Sequence, residues 1–476
     1  MALEAQGEFL KKLEGILGRE RLITEKEDRW CYAFDAAAAQ AKHLPLAVAL
    51  PQTPEEVAAI MRLATEYRVP VYPRGAGTNL SGGVIPREDG LVLSFAEMNK
   101  ILELDIENLT ATVQPGVVIQ DLNDAVAPYG LIYPPDPGSV TTATMGGSVA
   151  ESSGGLRGLK YGVTKDYVMG LEVVLADGTI FHCGGKTVKN VSGYDLVKLF
   201  CGSEGTLGIM TAITVRLIPA PEARRSMLAI FDRMEGAART ITGIIANKVI
   251  PATMEIMDNV TIRTVEAYCH AGLPLEAAAV LLLEVDGIPE VVAKEAAVVE
   301  RVCRENGGQV QVARDDAERE NLWTARRAAL PACARLRPTT VLEDATVPRS
   351  QIPAMLLALE KIAQKYNLTI ATYGHAGDGN LHPTITCDER DKEEMARVHG
   401  AVDEIFHTAI ELGGTLSGEH GIGVAKEKYM ELEFGTSGLD VMRRLKKALD
   451  PLGLLNPGKL VGPVAAGQGA PAAAKE

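Results

Sequence analysis

What most constrains this chain is where its glycines fall. Over the first 210 residues they concentrate in loops between runs of regular structure, at positions 75, 77, 82, 83, 138, 146, 147, 154, 155, 158, 162, 202, 205 and 208. Glycine lets backbone turn tightly and approach another group closely because it has no Cβ. With 47 glycines in 476 residues, above the usual share of about 7%, the chain is organised around close-approach loops. Its length suits about three domains, or two large ones, and needs no disulfide staple.

Between these loops the pattern alternates. A strand is expected at 46–50. Thr53-Pro54-Glu55-Glu56 then combines an N-cap hydroxyl, a proline at the first helical position and a glutamate at the third, opening a helix to about residue 68. Strands at 69–72, 91–94 and 109–113, a helix at 119–129 and the hairpin LEVVLADGTIFHC, with Asp177-Gly178 in a tight primed turn, follow. After Pro219-Ala220-Pro221 the texture changes to strands at 228–231, 254–257, 280–285 and 310–313 separated by helices, as in a separate α+β domain. Two histidine-bearing loops near 373–384 and 413–423 flank a long helix from Asp391, and a basic helix at 441–449 precedes LLNPGKL. Residues after Val464 have tail composition. The expected divisions are 1–220, 221–424, a returning segment 425–464 and a disordered tail 465–476.

Charge and cysteines narrow the function. The sum of 48 basic and 62 acidic residues is −14 with no basic block, which excludes a phosphate-tracking nucleic-acid surface and obliges an anionic partner to find a local positive site. The seven cysteines, at 31, 183, 201, 269, 303, 333 and 387, form no C-x-x-C run for zinc or iron–sulfur ligation. The N-terminal residues lack a signal-type apolar core; Phe9, Leu10, Leu13, Ile16 and Leu17 read as a helix face. These features favour a reducing cytoplasmic compartment. The longest apolar run, 277–283, is far short of a membrane span, so attachment to a membrane is at most peripheral.

Common nucleotide motifs fail. Arg74-Gly75-Ala76-Gly77-Thr78-Asn79-Leu80 begins as G-x-G but has Leu80 where the dinucleotide fingerprint needs its third glycine. Gly453 to Leu460 places Leu460 where a P-loop needs Ser or Thr, and Cys201 interrupts a serine-hydrolase elbow at Ser203. PRGAGTNLSGG nevertheless offers successive backbone N–H groups with Thr78, Asn79 and Ser81 beside Arg74, which suits an anion. TTATMGGSVAESSGGLRGLKYG suits backbone passing close to a flat ring. Either segment would also serve as a plain turn-forming loop.

Three of the eight histidines sit in glycine-rich loops. GHAGDGNLHP carries His375 and His382, and SGEHGIG carries Glu419 and His420. Two imidazoles and a carboxylate commonly hold Zn²⁺, Mn²⁺ or Fe²⁺, and the remaining His420 suits a base near neutral pH. Arg326, on a helix whose apolar face is Leu322, Ala325, Ala329 and Leu330, suits a carboxylate clamp; its neighbour Arg327 suits it equally on composition.

Together PRGAGTNLSGG, GGSVAESSGG with LRGLKYG, KLFCGSEGTLGIMTAITVRL, GHAGDGNLHP, SGEHGIG and LNPGKL resemble, over about residues 20–461, the FAD-linked 2-hydroxy-acid dehydrogenases of the vanillyl-alcohol-oxidase superfamily, particularly glycolate oxidase flavin subunits and D-lactate dehydrogenases. The resemblance implies an α+β chain: a two-subdomain FAD-binding domain with an antiparallel-sheet and helix cap domain. It implies that Arg74, Gly75, Ala76, Gly77, Thr78, Asn79 and Ser81 hold the FAD pyrophosphate, and that Gly138, Ser139, Thr142, Gly146, Gly147, Val149 and Ala150 line the flavin. Glu204, Gly205, Ile209 and Asn456 complete that site. The FAD is expected to be non-covalent, since residues 73–83 contain no histidine. It further implies a divalent metal on His375, His382 and Glu419, His420 as base and Arg326 on the substrate carboxylate. The implied reaction is oxidation of glycolate or D-lactate to the 2-oxo acid. Electrons would pass to an iron–sulfur subunit, an electron-transfer flavoprotein or a quinone, with a homodimer as one permitted assembly. Alternatives are oxidation of D-2-hydroxyglutarate or another alcohol, or a role as an electron-transfer flavin subunit. Where D-2-hydroxyglutarate dehydrogenases carry a lysine and tyrosine before an aspartate, this chain has Leu342-Glu343-Asp344, without a lysine for a second carboxylate.

Overall fold

The computed structural model describes residues 3–38 and 43–462; the expected tail lies outside them. Two sheets carry the glycine loops. The first places strands Leu22–Ile23, Ala47–Ala49, Leu91–Ser94 and Val71–Arg74 side by side, the last three parallel. Parallel strands need a crossover, and helix Pro54–Tyr67 supplies the one from Ala47–Ala49 to Val71–Arg74, which flank Leu91–Ser94. Thr53 accepts from the Glu56 N–H at the helix start, as the capping pattern predicts, and Arg68 ends it in a left-handed conformation. Phe9, Leu13 and Leu17 of helix Leu3–Leu17 are buried in the same core.

The second sheet is antiparallel, in the order Ile101–Asp105, Thr110–Val113, Ile209–Arg216, Val168–Val174, Ile180–Gly184. Its last two strands form the predicted hairpin with a different turn. Gly178 N–H donates to Leu175 O, Gly178 has φ +78°, and Asp177 does not have positive φ. A primed two-residue turn needs positive φ at both central residues. The loop is instead the longer form with a left-handed glycine, secured by Thr179 N–H on Asp177 Oδ1 at 2.9 Å.

The third sheet is the largest and antiparallel. Its order is Gln309–Val312, Ala223–Phe231, Ala279–Gly287, Thr253–Asp258, Ile370–His375, Asn380–Cys387, Thr339–Leu342, with Ala345–Thr346 also on Asn380–Cys387. Helices Met234–Ala246, Pro289–Glu305, Ile352–Tyr366 and Lys392–Glu411 share one core with it. Helices Asn259–Cys269, Asp316–Arg327 and Ala329–Ala334 share another. Near 373–384 the structure corrects the expected loop: His375 ends one strand and His382 lies within the next, so a hairpin turning at 376–379 holds both rings.

The chain then returns to the first sheet. Helix Met430–Leu449, broken at Gly435, leads to residues 454–456, where Leu455 bridges Val71. Lys446 secures this return: its buried Nζ donates to Thr206 O at 2.7 Å and Leu455 O at 2.7 Å and pairs with Asp450 Oδ2 at 2.5 Å. No helix among the described residues is long and apolar enough to cross a membrane. Removing one partner of a buried pair costs about 3–5 kcal/mol because the other charge is stranded. Lys446→Met should therefore lower the thermal unfolding midpoint by several degrees and make 450–462 the first segment cut in limited proteolysis; an unchanged midpoint and cleavage pattern would count against this anchor.

Candidate active site

A continuous cavity of about 530 Å³ runs between the glycine loops and the third sheet. Arg74, Gly75, Ala76, Gly77, Thr78 and Asn79 line one part, and Gly138, Ser139, Gly146, Gly147 and Ala150 line another. Glu204, Gly205, Ile209 and Asn456 are also on its wall. The N–H groups of Ala76, Gly77 and Thr78 donate to no protein acceptor among the described residues, leaving a row of donors suited to a phosphate. A Cβ at Gly75 would collide with Thr144 Oγ1, so the approach of the two loops depends on its absence.

Three predicted residues stand back from the cavity. Ser81 is fully buried, and its N–H and hydroxyl contact Asn79 Oδ1. Thr142 hydroxyl donates to Ser139 O, and Val149 packs in the core of the second sheet. Others are wall residues whose polar groups serve the protein itself. Arg74 Nη1 donates to Phe34 O at 2.7 Å. Glu204 accepts from the N–H groups of Ile422 at 2.7 Å and Gly423 at 2.8 Å. Asn456 Nδ2 donates to Gly83 O and Glu204 O.

At the other end of the cavity the histidine segments meet. Glu419 Oε1 lies 3.1 Å from His375 Nε2, 3.2 Å from His382 Nε2 and 3.9 Å from His420 Nε2. The rings of His382 and His420 stack at 4.8 Å, and those of His375 and His382 meet edge to face. Burial pulls His375 down, but Glu255 and Glu419 on either side hold it well above the ordinary histidine value. Burial pushes Glu419 up, and His375 and His382 bring it well below the carboxylate range. His420 is pushed down to about 4, chiefly by burial, so its ring is neutral at pH 7. Three ligand-type atoms around one small space, with a carboxylate behind His375, have the donor chemistry of a divalent-cation site.

Arg326 and Arg327 both line the cavity. Arg327 is partly exposed and 3.5 Å from Asp136. Arg326 is 7% exposed, lies over the Tyr373 ring at 5.0 Å and gives its Nε and Nη2 edge to Glu255 Oε2, leaving Nη1 without a hydrogen bond among the described residues. The carboxylate clamp expected from sequence is thus partly engaged by the protein itself.

Two carboxylates central to this arrangement were not singled out from sequence as site residues. Glu255 lies in a strand that reads as apolar core, MEIM, and nothing local marks it. Asp344 lies in LEDATVP and is fully buried. Its Oδ2 accepts from Ser417 hydroxyl at 2.6 Å and from the N–H groups of Gly418, Glu419 and His420 at 2.8, 3.0 and 3.0 Å. Asn380 Nδ2 donates to its Oδ1, and Lys426 Nζ is 3.6 Å from Oδ2. Burial would raise it, yet His420, Lys426 and His382 hold it well below the carboxylate range.

Residues 45–184 match the family described as FAD binding domain, and residues 220–460 match FAD linked oxidases, C-terminal domain. The chain belongs to the FAD-linked oxidase family. Glycolate oxidase subunit GlcD of Bacillus subtilis (strain 168) is 52% identical over 94% of this chain and 96% of that one. Probable mitochondrial D-lactate dehydrogenase of Danio rerio is 37% identical over 88% of this chain and 84% of that one. The solved structure of 4-ethylphenol oxidase from Gulosibacter chungangensis has a TM-score of 0.80 at 18% identity, covering 97% of this chain and 98% of that chain. The fold is therefore the expected vanillyl-alcohol-oxidase type, and the protein is an FAD-linked oxidoreductase of this family.

In this FAD-linked oxidase, Asp344 holds the loop that carries Glu419 and His420. A hydrogen bond to a charged group contributes about 1.5–3 kcal/mol. Asp344→Asn should accelerate hydrogen exchange at 417–421 by about tenfold or more, since each 1.4 kcal/mol is a factor of ten; unchanged protection there would refute the role.

Proposed function

We propose that this protein oxidises a small 2-hydroxy acid, glycolate or D-lactate, to its 2-oxo acid, using non-covalent FAD and a divalent cation such as Zn²⁺, Mn²⁺ or Fe²⁺. The observation that carries this reading is that His375, His382, Glu419, His420 and Arg326 line the same cavity as the glycine loops. The names of the relatives support the substrate class. When bound, FAD supplies a hydride acceptor at its N5, and the cation supplies positive charge that lowers the pKa of an oxygen bound to it.

The chain's own groups divide the remaining work. Donors along 75–79 receive the pyrophosphate, and the backbone of Gly138, Gly146 and Gly147 accepts the flat ring. His375, His382 and Glu419 hold the cation. Arg326 Nη1 takes a substrate carboxylate oxygen while Glu255 fixes the rest of the guanidinium. His420, neutral and stacked on His382, receives the hydroxyl proton at a ring nitrogen. Leu342 on the cavity wall offers a short apolar substituent a contact and a second carboxylate none, which favours glycolate and lactate over 2-hydroxyglutarate.

The two electrons gained leave to a separate carrier: an iron–sulfur subunit, an electron-transfer flavoprotein or a quinone reached by peripheral association. The name subunit given to the Bacillus relative supports such a partner. Seven free thiols support a reducing, cytoplasmic setting.

Anaerobic titration with glycolate, both lactate enantiomers and 2-hydroxyglutarate tests the reading: glycolate or D-lactate should bleach the flavin band, and no bleaching by either would overturn it. His420→Ala should slow flavin reduction in stopped flow by about 10²-fold or more, the usual size of a general-base contribution; a wild-type rate would remove His420 from the role. Chelation should abolish reduction by substrate, and a divalent cation should restore it. Full activity in chelated, metal-free protein would refute the cation site.

A further inference from the structure

Glu255 is 1% exposed in the middle of the third sheet, and the reaction as described uses it only as a neighbour. Ile256 pairs with Gly374 and Met257 with Tyr373, so the antiparallel register brings Glu255 opposite His375 on the same face. Its two oxygens are divided between an imidazole and a guanidinium. Oε1 accepts from His375 Nδ1 at 2.7 Å, whereas Oε2 accepts from Arg326 Nε at 2.8 Å and lies 2.6 Å from Nη2. Arg326 comes from helix Asp316–Arg327, so one carboxylate joins a strand hairpin to a helix.

We propose that Glu255 is a positioning residue that couples the substrate-carboxylate receptor to the metal ligand, holding the Arg326 guanidinium and the His375 ring with one shared carboxylate. The inference rests on the functional reading above. A ligating histidine is oriented and made more basic by a carboxylate on its other nitrogen, and losing that partner costs about 10–100-fold in metal affinity. Arg326 gains equally: with Nε and Nη2 fixed on Glu255, Nη1 is the donor left for a substrate oxygen. A glutamine at 255 has a single carbonyl oxygen, so either His375 or Arg326 must face its NH₂ group. An aspartate keeps the charge but is one methylene too short to reach both.

E255Q and E255D are compared with wild type as purified flavoprotein, using flavin absorbance, metal per flavin against graded chelator, and anaerobic flavin reduction against glycolate and D-lactate concentration. E255Q should keep its FAD, lose metal at about 10–100-fold lower chelator, and need at least about tenfold more substrate for half-maximal reduction, a factor of ten per 1.4 kcal/mol of lost contact. E255D should fall between, and it carries the same comparison should E255Q not fold. A purely structural ion pair would lower the unfolding temperature while leaving chelator midpoint and half-saturation at wild-type values, and that result overturns the proposal. So does a wild-type protein with no chelatable metal. Should neither acid reduce the wild-type flavin, the substrate reading fails, while the chelator midpoint still reports whether Glu255 holds His375.

Discussion

A carboxylate removed from water must be met by positive charge or by N–H donors, or its burial is prohibitively costly. Glu255, Asp344 and Glu419 are buried or nearly so, and each is met differently. Asp344 collects backbone N–H groups of one loop and faces Lys426. Glu255 is met by a guanidinium and a ring N–H, and Glu419 by two imidazoles. Because the compensating groups come from different strands, a helix and a loop, none of these elements shifts without stranding a charge. The geometry of the active site is in this sense the solution to a desolvation problem.

The same logic holds the glycine loops against the third sheet. Lys160 Nζ pairs with Asp286 Oδ1 at 2.5 Å, and Tyr161 hydroxyl donates to Asp286 Oδ2 at 2.7 Å, tying the short helix Gly158–Tyr161 to the sheet. Leu156 joins the core beneath that sheet. From the opposite direction Glu204 takes two N–H groups of the 419–423 loop, and Asn79 Nδ2 donates to His420 O at 3.3 Å. Residues assigned to the cofactor from sequence therefore also set the distance between the glycine loops and His420. Gly155, at φ +124°, passes so close to Asp136 that a side chain would collide with its carbonyl, which is why a glycine must lie at this crossing.

Features governed by local chemistry were readable from the chain. The Thr53 cap, the alternation of strand and helix and the clustering of glycines in close-approach loops each depend on neighbours a few residues away. Histidine and glutamate in two glycine-rich segments pointed to one cluster because few structural duties explain such a pattern. Pairing across distance was not readable. Glu255 looks like an interruption in an apolar strand until His375 lies across from it, and Asp344 carries no mark of the loop it holds 73 to 76 residues onward. Arg326 was legible as a candidate, but its engagement by Glu255 depends on a contact spanning 71 residues. The turn at 177–178 shows the same limit locally: Asp-Gly permits more than one turn, and the register of the flanking strands decides.

The net charge of −14 raises a final question of how an anionic substrate and an anionic cofactor enter one cavity. Three arginines, Arg74, Arg326 and Arg327, line it, as do three glutamates, Glu151, Glu204 and Glu419. The formal balance is neutral, but the carboxyls are not equivalent. Burial, with Glu204 beside it, pushes the Glu151 carboxyl well above the ordinary carboxylate value. Glu419 is ionised but enclosed by His375 and His382, and Glu204 has its oxygens on backbone N–H groups. What faces an incoming anion is thus more positive than the residue list implies, because burial works against the charge on Glu151 while imidazoles and backbone N–H groups engage the other two carboxylates.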